Sequence, residues 1–161
     1  MKRLWIVTLL LILALFPDVY AAKKTPEKLD YQIEGAGTAA QGFYMVDVSL
    51  MAKKRDVSDA DLCRATVHGV LFRGFSNPKA RGSQKPLAGS AANEAQHVDF
   101  YREFFGPDGT APDFASVVSG TRAITKVDKR YRVKATVSVN KEALVKYLQE
   151  LGIVKGLNSA F

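Results

Sequence analysis

From Arg130 to Val139 the chain alternates without a break, with Tyr131, Val133, Ala135, Val137 and Val139 set against Arg130, Arg132, Lys134, Thr136 and Ser138. A period of two sends successive side chains to opposite sides of a strand, so this segment reads as a strand with one apolar and one polar face. Its register is pinned, because a slip by one residue would carry the basic residues into the core. Thr121 to Val127 reads as the preceding strand, and Asp128-Lys129 as the tight turn between them. Asn140 is placed to cap a helix over Lys141–Leu151, whose apolar face is Leu144, Val145, Leu148 and Leu151. Gly152 stands at its C-cap, and Ile153, Val154 and Leu157 are expected to fold back onto the core.

The same alternation appears upstream, where Tyr44, Val46, Val48 and Leu50 form a wholly apolar face and Phe43, Met45, Asp47, Ser49 and Met51 a mixed one. A short strand is expected at Tyr31–Glu34. The run Ser58-Asp59-Ala60-Asp61 is a capping-box variant, in which the Ser58 hydroxyl accepts from the amide of Asp61 and the acids favour the positive helix end. The spacing predicts a helix over 59–72 with Leu62, Ala65, Gly69 and Phe72 on one side. Glycine in mid-helix costs about 1 kcal/mol against alanine, so Gly69 implies close approach to a strand. Glu94–Phe105 has helical spacing, with Val98, Tyr101 and Phe105 on one stripe and Phe100 and Phe104 on another, and Gly106-Pro107-Asp108-Gly109 stops it. The aromatic stripes predict a helix lying on a sheet. Phe114–Val118 is a short apolar lead into the next strand.

These elements predict one α+β domain over 31–161: an antiparallel sheet of three to five strands with two or three helices packed on one face. Residues 74–93, rich in Gly, Ser, Pro, Lys and Ala, read as a loop of about 20 residues, long enough to be functional or unstructured. Between Leu62 and Asn93 there are five basic residues and no acid. Arg73, Lys79, Arg81 and Lys85 are therefore the candidate binding residues, either as an anion-docking loop or as a solvated excursion.

Ahead of the domain, Lys2 and Arg3 precede an apolar run from Leu4 to Phe16 and then a polar stretch ending in small residues, the three parts of a secretory signal. Val19 and Ala21 suit the small-residue subsites before a cut, so residues 1–21 are expected to be removed and 22–30 to form a flexible mature N-terminus. The apolar run, broken by Pro17 and Asp18, falls short of the roughly 20 residues of a membrane span. The whole chain has 23 basic and 16 acidic residues; without Lys2, Arg3 and Asp18 the counts are 21 and 15, a net charge of +6. Such an excess favours an acidic partner: an anionic lipid head group, an acidic glycan or an acidic protein face. Nucleic acid attracts the same charge but is seldom met by an exported chain.

Candidate chemistry is sparse. Cys63 is the sole cysteine, which excludes an internal disulfide; on the helix face of Val67 and Val70 it reads as a small buried hydrophobe rather than a reactive thiol. The two histidines, His68 and His97, offer no nucleophile–base pair by spacing, since Cys63 and His68 lie about 140° apart around one helix. His97, Asp99 and Glu103 do not share a face in a way that suits zinc. Gly35-Ala36-Gly37 lacks the third glycine and the following helix of a dinucleotide fingerprint. No catalytic residue, metal or cofactor is assigned.

The ending YRVKATVSVN followed by KEALVKYLQELGI resembles the small β-α-β-β-α domain at the amino end of the flagellar assembly protein T family and of related exported bacterial lipoproteins. There too an alternating strand runs into a leucine-x-x-x-leucine helix and then Gly-Ile, matched by Leu144, Leu148, Gly152 and Ile153. The likeness covers residues 43–73 and 121–153 and implies an envelope assembly or accessory component that is not an enzyme. The lipobox cysteine of the lipoproteins is missing here, which removes their means of anchoring.

The sequence thus reads as an exported, periplasmic or extracellular, non-catalytic binding or assembly module of the bacterial cell envelope, with an envelope protein or acidic surface as partner and no membrane span after cleavage. Two alternatives remain at this point: a hydrolase whose catalytic acids spacing does not reveal, and a binder of acidic polymer or lipid through the basic loop. The mature protein is expected to begin at Ala22. N-terminal sequencing of protein from the producing cell checks this, and an intact Met1 in the cytoplasm would overturn the localisation.

Overall fold

A computed structural model describes residues 30–78, 82–89 and 91–154. The expectations for residues 1–29, for Lys79 and Arg81, and for Leu157 lie outside the described residues.

The ladder between β2 (Phe43–Ala52) and β7 (Arg130–Asn140) joins the two alternating segments, antiparallel over ten residue pairs from Phe43↔Asn140 to Ala52↔Tyr131. Because partners across a ladder share a face, Val46, Val48 and Leu50 fall opposite Val137, Ala135 and Val133, and all six are buried. Outside β2 lies β1 (Asp30–Gly35), also antiparallel. The far side of β7 is shared by two short strands, β5 (Ala115–Val117) against Val137–Val139 and β6 (Ala123–Val127) against Arg130–Lys134. The resulting five-stranded antiparallel sheet agrees with the α+β expectation.

Between β5 and β6 the ladder is interrupted, and the Thr121 hydroxyl takes over, accepting from the amide of Thr136 at 3.0 Å while donating to the Val118 carbonyl at 2.7 Å. This side-chain substitution is why β6 starts at Ala123 rather than at Thr121.

Helix α1 (Asp59–Phe72) runs over the inner face, touching β1, β2, β5 and β7. Ser58 caps it as the sequence predicts, its hydroxyl accepting from the Asp61 amide at 3.1 Å. Burial extends round most of the helix, taking in Leu62, Ala65 and Gly69 and also Cys63, Val67, Val70 and Leu71. Gly69 is where α1 crosses β1: a Cβ there would stand 2.5 Å from Ile33 Cδ1 and 3.0 Å from Tyr31 Cε2. The helix-propensity loss at Gly69 is the condition for that approach.

Residues 74–93 differ from the expected single loop. They contain β3 (Phe75–Asn77) and β4 (Gly82–Gln84), paired as a ribbon, and the start of α2 (Ala91–Gln96). After the ribbon, the amides of Leu87 and Ala88 donate to the carbonyls of Val70 and Leu71, satisfying acceptors that the end of α1 leaves open. The ribbon docks at the glycine-rich run: a Cβ on Gly35 would lie 2.6 Å from Asn77 Cβ, and Asn77 Nδ2 donates to the Gly37 carbonyl at 2.9 Å. Glycine there serves backbone approach within the fold.

The helix expected over 94–105 is two helices, α2 and α3 (Val98–Phe104), broken at His97, so the described residues hold four helices where two or three were expected. The aromatic stripes of α3 meet helical neighbours instead of the sheet. Tyr101 packs edge-on against Phe72 at 4.8 Å, and Phe104 lies 6.0 Å from both Phe114 and Tyr147. Here Phe114 belongs to a single 3₁₀ turn (Ala111–Phe114) and Tyr147 to α4 (Lys141–Glu150). Asn140 caps α4 through the Ala143 amide at 3.0 Å. Leu144 and Leu148 are fully buried and Ile153 folds back as expected, whereas Leu151 is about half exposed. Leu151 is the C-cap residue just past the helix.

This burial pattern separates two leucines of one helix. Leu148→Ala is expected to lower unfolding stability by about 2–5 kcal/mol as a cavity mutation, and Leu151→Ala by less than about 1 kcal/mol. Equilibrium denaturation with urea checks both, and equal effects would mean that α4 is rotated from the position described.

Candidate functional site

Three polar side chains from three elements converge beside the crossing of β1 and α1. The Tyr31 hydroxyl lies 2.6 Å from His68 Nδ1, and His68 Nε2 lies 3.3 Å from Glu94 Oε1 on α2. Ionised Glu94 can only accept, so the proton of neutral His68 sits on Nε2 and Nδ1 accepts from the Tyr31 hydroxyl. Phe72 and Phe105 flank the imidazole, with ring centroids at 5.0 and 5.1 Å. On the other side of Tyr31, the Arg73 guanidinium stacks over the phenol ring at 4.2 Å and donates to the Tyr31 carbonyl at 3.0 Å.

Burial controls the titration of this group. It pushes the Tyr31 hydroxyl up to about 12, beyond what Arg73 takes back. It also lowers His68 from its ordinary value of 6.5, the attraction of Glu94 opposing it only in part and Arg73 adding to the lowering. Tyr31 is only 4% exposed, so its hydroxyl is closed to a substrate, and the chain Tyr31–His68–Glu94 works as a tie between β1, α1 and α2. Cys63 is buried, and desolvation raises its thiol to about 11, which leaves it un-ionised at neutral pH.

Of the four candidate binding residues, Arg73 is committed to Tyr31, and Lys85 is exposed just after β4. Lys79 and Arg81 fall outside the described residues. Among the described residues no group of three or more His, Cys, Asp and Glu is arranged to hold a metal ion, and no helix is long and apolar enough to cross a membrane.

The second feature is a surface. Every outward residue of β1, β2 and β7 is half-buried or exposed, because the helices lie on the opposite face. Phe43, Met45 and Met51 stand on β2 in this open face, Phe43 at 40% exposure, among Gln32, Ser49, Thr136 and Ser138. Thr136 donates to Asp47 across the ladder at 2.6 Å. A shallow hollow of about 70 Å³ lies between Asp30, Gln32, Ser49, Met51 and Arg132. Sequence reading found the mixed face of β2 but singled out no residue on it. The available signal was the pair of methionines and the phenylalanine at outward positions.

No family model, curated protein or solved structure matches the chain.

The tie at His68 generates a pH dependence. Since the folded protein holds His68 below 6.5, the unfolded chain binds the extra proton first as pH falls. The contribution of this site to stability is therefore complete above about 6.5 and declines as the pH drops through that value towards the lower folded one. Thermal unfolding followed between about pH 7.5 and 5.5 should show a fall in midpoint that is shallower in His68→Asn than in the parent. Parallel slopes would mean that His68 does not titrate differently on folding.

Proposed function

We propose that this protein is an exported, non-catalytic binding or assembly module of the cell envelope, and that it receives its partner on the open face of its sheet. The observation that carries the reading is the one-sided packing of the sheet: α1 and α4 pack on one face, and the other presents Phe43, Met45 and Met51 among polar and charged residues. Apolar side chains set among polar ones are the usual composition of a docking surface. Further support comes from the amino-terminal segment, with its secretory order of charged, apolar and small residues, and from the likeness of residues 43–73 and 121–153 to the flagellar assembly protein T domain. Lys85, exposed just after β4, adds positive charge where an acidic partner would extend.

Ser49 sits at the centre of the open face, between Gln32 and Lys134. Replacing it with glutamate puts a charge into the middle of the surface while leaving the inner core untouched. The parent protein should co-sediment with native envelope material, and Ser49→Glu should lose at least half of that association with little change in thermal midpoint, as for other exposed substitutions. A parent that stays in the supernatant would overturn the binding-module reading. Undiminished association of the variant would move the contact away from this face.

A further inference from the structure

Among the described residues, positive charge gathers at one end of the sheet. The β2–β7 register ends at Ala52↔Tyr131, so the loop Lys53-Lys54-Arg55 emerges directly beside the β6–β7 turn, whose Val127↔Arg130 pair closes around Asp128 and Lys129. All three loop residues are exposed, as are Lys126, Lys129, Arg132 and Lys134 on the hairpin. With Arg130 this end carries eight cations against three acids, Asp30, Asp56 and Asp128. One of those acids is spent on Arg130, which it meets at 2.9 Å while the same guanidinium donates to the Met51 carbonyl. Arg122 nearby is neutralised by Asp59 at 2.8 Å.

Arg132 and Lys134 point out of the open face two residues apart, a step of roughly 7 Å along a strand. Their cross-strand neighbours are Met51 and Thr125, and Ser49 and Ala123, none of them charged. Ile124 on β6, which pairs with buried Val133 and so lies on the inner face, is 38% exposed.

From this juxtaposition we infer that the β6–β7 hairpin and the Lys53–Arg55 loop form a docking surface for an anionic lipid bilayer. The inference deepens the binding-module reading and rests on it by naming the partner's chemistry. Complementarity favours a bilayer over a discrete acidic protein: the cations are mainly lysines on a turn, a loop and a strand edge, a spread of point charges that suits a field of head groups better than a paired carboxylate. The described chain enters the sheet at this end, with Asp30 opposite Met51.

The test uses the chain as recovered from the producing cell and sedimentation with vesicles of phosphatidylcholine alone or mixed with phosphatidylglycerol. Binding is expected only to the mixed vesicles and should weaken as salt is raised, because the attraction is screened within a Debye length. Substituting Lys126, Lys129, Arg132 and Lys134 with serine should reduce it at least tenfold, on a scale of roughly fivefold per cation. The control variant Lys85→Ser, just after β4, should bind nearly as the parent does. Should the fourfold variant fail to fold, Lys54→Ser with Arg55→Ser serves in its place, with a severalfold loss expected. No binding to anionic vesicles, equal binding by the sheet-end variants, or equally tight binding to soluble polyglutamate would each overturn the inference, the last in favour of an acidic polymer. Association with native envelopes that survives while vesicle binding fails would leave the binding-module reading standing without lipid as the partner. Loss of both would remove the two together.

Discussion

The long ladder between β2 and β7 is the constraint on which the other elements depend. Ten consecutive pairs set two period-two patterns in phase, so that Val46, Val48 and Leu50 and their opposite numbers on β7 present one continuous apolar plane. That plane must be covered, and burying each such valine or leucine contributes about 1.5–3 kcal/mol. Helix α1 covers it, and Gly69 lets the helix sink close enough to β1 for Tyr31 and Ile33 to lie against its backbone. The proximity then sets the polar tie, since Tyr31 can reach His68 only because β1 and α1 meet at that depth. The remaining helices are arranged around the aromatic cluster, from Phe72 on α1 through Tyr101 and Phe104 to Tyr147 on α4.

Covering one plane leaves the other bare. In an antiparallel sheet this is an ordinary solution, because alternate residues can face water. Here the outward set is only partly polar: Arg132 and Lys134 belong to a solvated face, whereas Phe43, Met45 and Met51 do not. Charge along the same face is uneven as well. The end at which the chain enters β1 gathers cations from segments some 75 residues apart in sequence, and the opposite end carries the ribbon docked on Gly35 and Gly37. The proposed docking end and the proposed partner follow from that gradient together with the bare face.

Local patterns read well where a single physical rule governs them. The alternation of β7, the Ser58 cap of α1, the Asn140 cap of α4 and the reason for Gly69 were all legible from neighbouring residues, since period, capping chemistry and helix propensity act over a few positions. The misreadings came from non-local partners. The glycine- and serine-rich stretch after α1 looked unable to hold structure, yet Leu87 and Ala88 find carbonyl acceptors on α1 and the ribbon finds a glycine seat on β1. Leu151 looked like core by helical spacing, but as the C-cap residue just past α4 it is half exposed.

By itself the sequence determined the strands and helices whose residues repeat with the period of their own backbone, the α+β class those elements imply, and the excess of positive charge. Tertiary structure alone decided which strand lies beside which, that His68 meets a tyrosine 37 residues away and a glutamate 26 residues away, and that the cations of 53–55 and 126–134 share one end of the sheet. Periodicity and capping arise from contacts within a turn or two of chain, and these are written in consecutive residues. Pairing across the sheet and the summed charge of distant loops depend on distances that exist only once the chain has closed on itself.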